Sequence, residues 1–501
     1  MGVPTVPSRS TATRRGCAPD LARLASAALT AAALACASSE AHAQAAPQTP
    51  AEGFTVGGFT LRPLVEVRVR GEGRSAPFDT GGAVYGSSAV LSNGYGAAVP
   101  TVVDVKAPVR AQWLVAERTR LGLAIDRGPV TAAVTMQDAR SLGNADTAVL
   151  GPGQPTLPSI APYEAYADAH TRTGRRAFVR IGRQRVSWGD GRLVGANDWS
   201  HTGRSLDALR GGLQLGDVDL EAMAVLLAAP GAMPPSVVGS RAPAPEGTGA
   251  QLYGLNAVWH LWPLLNLEAT GLARIVREPI PTTLTPGDTF VADGRAFGDW
   301  RGLRYAVEGA WEAGRLATYG GTRQLSAFAL AGKVALETAL PAHLTFGVQG
   351  AYASGGGDGK DLHGTERRFD PILPDEHRNH GVLDAYAWSN LMELGGNVSL
   401  RPAEEVTIGA GYRLAALASA AGRWTSGSLA PIGAAPTNGS KLLGHEVDLV
   451  VEWTPWEALA LGAGYGVLAL GDAAKNILAE AKRATTDAQH WGFFQTTLRL
   501  P

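Results

Sequence analysis

Apolar and polar side chains alternate one for one along much of this chain, the two-residue period of strands with unlike faces. In LRPLVEVRVR, Leu61, Val65, Val67 and Val69 share one face, while Arg62, Glu66, Arg68 and Arg70 share the other. LRYAVEGAWE sets Leu303, Tyr305, Val307 and Trp311 against Arg304, Glu308 and Glu312. EVDLVVEW sets Val447, Leu449, Val451 and Trp453 against Glu446, Asp448 and Glu452. The pattern recurs over Leu265–Ile275, Leu344–Tyr352, Val406–Leu414 and Leu459–Val467. A soluble β-sandwich or β-helix alternates too, but two features favour strands that cross a membrane. The apolar faces end repeatedly in Trp or Tyr (Trp113, Trp259, Trp311, Tyr412, Trp453), as an interfacial aromatic girdle requires. The opposite faces carry arginine with acids, or Gly and Ala, which would make a poor dry core but line water well.

Outside its first residues the chain has no apolar run long enough for a membrane helix. The fold class predicted is therefore all-β: a transmembrane antiparallel barrel. The Gly/Pro/Ala-rich segments Ala76–Pro100, Gly151–Pro162, Pro230–Gly249, Gly355–Pro374 and Ser426–Ser440 read as long loops. Arg401-Pro402-Ala403-Glu404 and Thr454-Pro455-Trp456-Glu457 read as tight turns at the opposite end, and Leu470–Thr485 as partly helical. One domain, residues 56–501, accounts for the rest, after a flexible segment over 44–55.

Residues 1–43 look like a secretory signal. Arg14 and Arg15 are basic, Leu24–Ala37 is almost wholly Ala, Leu, Ser and Cys, and Ala41-His42-Ala43 offers a small-x-small cleavage site. A membrane anchor would need a longer apolar run, and a lipoprotein reading of Cys36 has leucine one place off. Both cysteines, Cys17 and Cys36, fall in this segment. A processed chain would hold no thiol, which excludes disulfides, thiol catalysis and Cys-ligated metal. It would also carry 40 basic and 43 acidic residues, a balance that gives no support for nucleic-acid binding. Arginine supplies nearly all the positive charge, with only six lysines.

The most informative stretch is FVRIGRQRVSWGDGRLVGANDWSHTGRSLDALR, Phe178–Arg210, a strand running into a Gly/Asp/Asn loop and holding six arginines. Its wording GRQ…WGDGRLVG…DWS…GRS.DALR resembles the alginate-export family of bacterial outer-membrane barrels. The resemblance extends from Trp113–Arg140 through this stretch. It resumes at SGGGDGKDLHGTERRFDPILPDEH and LDAYAWSN, and again at LGHEVDLVVEWTPWEALALGAGYGVLALGDA. It implies a barrel of about 18 strands with long extracellular loops and short periplasmic turns. It also implies an arginine-lined constriction that conducts an acidic polysaccharide. The final TTLRLP departs from an aromatic C-terminal residue, with Phe493 and Phe494 several residues earlier.

Enzyme motifs are mostly missing. There is no Gly-x-Ser-x-Gly and no His-Glu-x-x-His, Gly355–Lys360 fails as a phosphate loop, and Gly462–Gly466 lies inside an alternating strand. His377 and His380 beside Asp375 and Glu376 fit a solvated loop better than a cation site. Neither catalysis, cofactor nor metal is predicted. What remains is arginine with carboxylate partners: Arg118, Arg120, Arg140, Glu164, Arg180, Arg183, Arg185, Arg192, Asp198, Arg204, Asp207 and Arg210 are the candidate lumen residues. Fixed guanidinium groups replace the hydration a polyuronate loses in a narrow pore, and interleaved acids keep the grip from becoming a trap. For any single arginine, a ladder residue paired to a neighbouring strand is the first reading, and only the cluster as a whole favours conduction. The expected partners are an anionic polysaccharide or small organic anion, outer-membrane lipid and periplasmic export proteins, with no nucleic acid. The rival functions are an anion-selective uptake porin for small carboxylates, an outer-membrane lipase or deacylase, and a soluble secreted β-protein.

Overall fold

The computed structural model describes residues 53–75, 111–143, 160–171, 176–228, 249–277, 286–318, 321–340, 342–356, 364–375, 377–429, 431–432, 439–480 and 487–500. The expected signal, 1–43, and most of the expected long loops lie outside these residues.

Eighteen strands form the wall. They are β1 (Phe59–Arg74), β2 (Gln112–Arg127), β3 (Val130–Gly143), β4 (Ala161–His170), β5 (Ala177–Gln184) and β6 (Leu206–Leu215). Next come β7 (Val218–Ala228), β8 (Ala250–Trp262), β9 (Leu265–Val276), β10 (Gly287–Trp300), β11 (Leu303–Thr318) and β12 (Gly321–Glu337). The last six are β13 (Thr345–Ala353), β14 (Leu391–Ala403), β15 (Val406–Leu417), β16 (Leu442–Trp456), β17 (Leu459–Leu470) and β18 (Ala488–Leu500). Each pairs antiparallel with its neighbours in sequence, and β1 pairs with both β2 and β18, so the sheet closes on itself. Closure leaves no free edge, the condition for a sheet surrounded by lipid. No helix among the described residues is long and apolar enough to cross a membrane.

The alternation sorts as expected. Val447, Leu449 and Trp453 of β16 are exposed outward, while Glu446 and Asp448 are buried inside. Trp113, Trp259, Trp311, Tyr412 and Trp453 all lie exposed on the outer surface. Tyr412 and Tyr465 meet His445 Nδ1 and His490 Nδ1 through their hydroxyls, at 2.8 and 2.7 Å, so their polar tips are satisfied beside apolar rings.

One end of the barrel carries short turns, such as 128–129, 216–217 and 301–302. Two turns come later than the sequence suggests: β14 runs to Ala403 and β16 to Trp456. Register shifts between Leu400 and Ala403 and between Trp453 and Trp456 absorb Pro402 and Pro455, because proline fits where the ladder is already interrupted. The other end carries the longer connections. The expected helix is α1, Asp472–Glu480, whose Ala473, Ala474, Ile477 and Leu478 are buried.

The apolar packing is inside the barrel. Two long connections fold inward in their described parts: 185–205 after β5, and 354–356, 364–375 and 377–390 after β13. Val186, Leu193 and Val194 join Phe369, Ile372 and Trp388 against β12 and its neighbours. Trp199, Val382, Leu383 and Tyr386 form a second cluster with Trp424, Trp491 and α1. Hydrophobic burial thus fixes the inward loops while the outer wall keeps its apolar side for lipid.

Depth on the outer wall should control tolerance to charge. Val334→Arg, in the apolar band of β12, is expected to cost about 2–4 kcal/mol in denaturant unfolding from lipid vesicles. Thr322→Arg, at the long-connection end of the same outer face, should cost about 0–1 kcal/mol. Equal costs would contradict the assignment of that face to lipid.

Candidate conduction path and its inward loops

On β1 and β2 the inward positions are Glu66, Arg68, Arg70, Glu72, Arg118 and Arg120, and the register sets Arg68 opposite Arg118 and Glu66 opposite Arg120. Like charges face to face are costly unless something screens them. The loop at Asp198–His201 does so. Arg68 donates from Nη1 to Asp198 O (2.8 Å) and from Nη2 to Ser200 O (2.6 Å). Arg118 donates from Nη2 to Glu66 Oε1 (2.6 Å) and from Nη1 to Asp198 O (3.1 Å). Arg120 Nη1 reaches Asp198 Oδ1 at 2.8 Å, and its Nε reaches Gln137 Oε1 at 2.7 Å. Arg70 donates to Trp199 O and stacks over the Trp199 ring, 4.2 Å from its centroid. Arg120 lies over Tyr163 at 3.6 Å, and Arg499 closes on Glu66 at 3.1 Å.

This knot gathers five guanidinium groups (Arg68, Arg70, Arg118, Arg120, Arg499) around three carboxylates (Glu66, Glu72, Asp198). Burial alone would raise the Asp198 carboxyl, but Arg118 and Arg120 beside it overcome that and hold it below the usual carboxylate range. Burial, then the positive charges of Arg68, Arg70 and Arg118, push the His201 imidazole down to about 4. Gly203, at φ +68°, lets the chain pass beneath Tyr163 and Arg120; a Cβ there would lie 2.8 Å from Arg120 Nη2.

The same loop crosses to the far wall. Asp190 takes Arg295 Nη2 at 2.8 Å and Lys333 Nζ at 3.0 Å, and Arg295 also binds Glu268 at 3.0 Å. Burial would raise Asp190, but Lys333, Arg295 and Arg192 together hold it low. Arg192 points at Glu308, 3.5 Å away.

The two inward loops are tied to each other. Gly195 N donates to Leu373 O (2.8 Å), Leu373 N to Leu193 O (3.0 Å) and Asp375 N to Gly191 O (2.7 Å). Arg204 Nη1 sits among three carbonyls, Gly195 O (2.9 Å), Leu373 O (2.8 Å) and Pro374 O (2.7 Å). A Cβ at Gly195 would come within 2.7 Å of the Asp375 backbone nitrogen, so the seam needs glycine there. Further round, Trp388 Nε1 donates to Tyr352 O at 3.1 Å, and Arg274 pairs with Asp370 at 2.7 Å. His377 and His380 are buried, which differs from the solvated loop expected of them. His377 stacks on Trp199 at 3.9 Å and bonds Asp384 at 2.8 Å, while His380 bonds Glu393 at 2.7 Å. Among the described residues no group of three or more His, Cys, Asp or Glu side chains could hold a metal ion.

The twelve residues nominated from sequence divide into three sets. Arg118, Arg120 and Asp198 meet in one knot, but both arginines are only 1% exposed, so they anchor a loop rather than lining open water. Arg180 (with Asp168), Arg185 (with Glu164) and Arg210 (with Glu221) sit on or beside the inner wall, and Arg192 and Arg204 lie in the inward loop. Arg140, Arg183 and Asp207 are corrections. They share outward faces with Val134, Ile181 and Leu209, and their side chains are 45%, 39% and 57% exposed. Near a strand end at headgroup level both faces of a barrel tolerate charge, so the alternation no longer reports a lumen there. The nomination missed Arg68, Arg70, Asp190, Arg295 and Lys333. The polar face of LRPLVEVRVR already carried the signal for the first two.

Asp198→Ala removes the carboxylate that the buried Arg118 and Arg120 share, leaving five guanidinium groups around Glu66 and Glu72, and should destabilise the barrel by about 3–5 kcal/mol, measured by denaturant unfolding in vesicles. A cost below 1 kcal/mol would show that the loop is held mainly by its carbonyls. His201 gives a signed pH effect. Its folded value of about 4 lies below the unfolded 6.5, so the unfolded chain binds more protons between those limits. The His201 contribution to stability is then full above pH 6.5 and is lost as pH drops toward 4; the profile of His201→Asn should differ from that of the parent protein by a term of this sign, and identical profiles would contradict it.

A family model described as alginate export matches residues 104–228 and 282–487. No curated protein matches the chain. Among solved structures the chain is similar to Pseudomonas aeruginosa OccK9 (OpdG), with 10% identity, 88% of this chain and 98% of that one covered, and a TM-score of 0.54. It is similar to Acinetobacter baumannii OccAB2 at 11% identity, with coverage of 87% and 98% and a TM-score of 0.53. It is also similar to Pseudomonas aeruginosa OccK8 (OprE) at 9% identity, with coverage of 88% and 98% and a TM-score of 0.52. At these identities the shared feature is the porin-type barrel. The family match spans most of the chain, and on that ground the protein belongs to the alginate export family.

Proposed function

We propose that this protein sits in the outer membrane and passes an anionic solute, with export of an acidic, alginate-like exopolysaccharide as the leading function. The family and the fold are both of channel type. The observation that carries the anionic preference is the excess of guanidinium over carboxylate where β1, β2 and β18 meet the inward loop. A positive field inside a low-dielectric wall draws anions and repels cations, even where the charges that make it are covered. Arg62 at the tight-turn end and Arg185 at the other are the more exposed lumenal arginines, each already holding one acid (Asp126 and Glu164). Such paired arginines can exchange an internal carboxylate for one on a passing solute at little net cost. Flux would be driven by synthesis or by periplasmic partners, with no cofactor.

A second function is supported by the two insertions, which occupy the lumen and are stitched together by Arg204. A lumen so filled suits small organic anions, whereas a polymer needs the insertions to move.

Planar-bilayer recordings test both. Anion-selective current that is blocked by added polyuronate supports export, and current insensitive to the polymer but competed by small carboxylates supports uptake. Replacing Arg62, Arg180, Arg185 and Arg210 together with Gln should shift the reversal potential toward cations. Cation selectivity in the unaltered protein would overturn the reading.

A further inference from the structure

The inner face of β16 carries two acids with too few cations. Glu446 and Asp448 stand two residues apart on that face, and both are buried. The register sets Glu446 opposite Arg413 of β15, while Asp448 lies between Gly411 and Gly466, which bring no charge. Arg413 Nη1 donates to Asp448 Oδ2 at 2.5 Å, and its Nε lies 3.3 Å from Glu393 Oε1 on β14. The second inward loop rests directly on the pair. Leu383 N donates to Glu446 Oε1 at 3.3 Å, and the same oxygen leaves no room for a Cβ on Gly381, at φ +91°.

The Glu446 and Asp448 side chains are within hydrogen-bonding reach of each other, yet ionised carboxylates only accept. Glu446 Oε2 and Asp448 Oδ1 have no donor among the described residues. Two such acceptors bond only when one of them carries a hydrogen; as two anions in a dry interior they repel. The neighbours do not make up the difference. Arg413 faces the pair from β15, Glu393 from β14, and His377, His380 and Tyr386 from the insertion. His377 is matched by Asp384. Even a charged His380 leaves three carboxylates (Glu393, Glu446, Asp448) against two cations, one positive charge short. The Tyr386 hydroxyl, wholly buried beside them and without a partner among the described residues, adds a donor but no charge. Burial, then the acids Glu446, Glu393 and Asp448, push its phenol up. A metal ion does not fit, because no described group of three or more such side chains could hold one.

We propose that Glu446 and Asp448 bind one proton between them, and that this proton seats residues 380–386 of the insertion against β16. It supplies both the missing positive charge and the missing donor, and it leaves Glu446 Oε1 to accept from Leu383 N. The direction of the pH effect follows from linkage. The seated segment covers a pair that holds its proton, whereas the lifted segment exposes two ordinary carboxylates that release it. Seating therefore weakens as pH rises through the titration of the pair, and it is complete below that point.

Two measurements on the protein in lipid vesicles test this, and neither depends on which solute passes. Infrared difference spectra at neutral pH should show the carbonyl stretch of a neutral carboxyl, shifted in heavy water, that Glu446→Gln and Asp448→Asn each abolish. No difference band with either variant means that both acids are ionised, which overturns the proposal. A band lost with only one variant places the proton on a single acid and overturns the sharing. Hydrogen exchange of residues 380–386, read by mass spectrometry, tests the seating. Glu446→Gln keeps an acceptor for Leu383 N and carries a donor that it cannot lose, while the exchanging segment itself is unchanged. The ratio of parent to variant exchange rates should rise about tenfold per pH unit once the pair titrates. A ratio that stays flat from about pH 6 to 10 overturns the link between proton and insertion.

Discussion

A backbone N–H or C=O facing hydrocarbon has no water to turn to, and every other feature of this molecule follows from that constraint. The eighteen-strand ring answers it by pairing β1 with β18, so that each strand has two neighbours. Once the ring exists, the pleat sends alternate side chains to lipid and to the interior. The chain can then hold Glu66, Arg118 and Glu393 within a membrane protein because none of them meets a lipid tail.

The interior raises a second problem. A ring of this size would be wide, and side chains alone would not fill it. Two inward connections supply the missing matter, and apolar packing around Trp388 and Trp199 supplies the drive. Charge supplies the address. Asp198 can settle only where Arg118 and Arg120 wait for it, and Asp190 only where Arg295 and Lys333 stand. Much of the arginine content therefore serves to position backbone rather than to greet solute, a role in which a planar fork with five donors outperforms lysine.

The wall was legible from sequence because period two has one meaning when one side is hydrocarbon: Leu303, Val307 and Trp311 out, Glu308 and Glu312 in. The rim was less legible. At Arg140, Arg183 and Asp207 both environments are polar, so alternation carried no information about side. The loop contacts were harder still. Arg204 binds main-chain carbonyls from residues 195, 373 and 374, and a carbonyl leaves no mark in the sequence. His377 and His380 misled for a related reason: flanked by polar residues, they read as wet, yet Trp199 and Glu393 cover them. The family resemblance was densest over Phe178–Arg210, which spans one wall strand, the crossing insertion and the start of the return strand.

The Arg204 clamp has a mechanical corollary. One guanidinium grips carbonyls from both insertions, and the backbone bonds at Gly195 and Asp375 run across the same seam. Moving either insertion alone breaks this seam in addition to its own contacts with the wall, whereas moving the two together keeps the seam intact. The seam thus couples the two insertions mechanically: a force on one is carried to the other through a single guanidinium and the backbone bonds beside it.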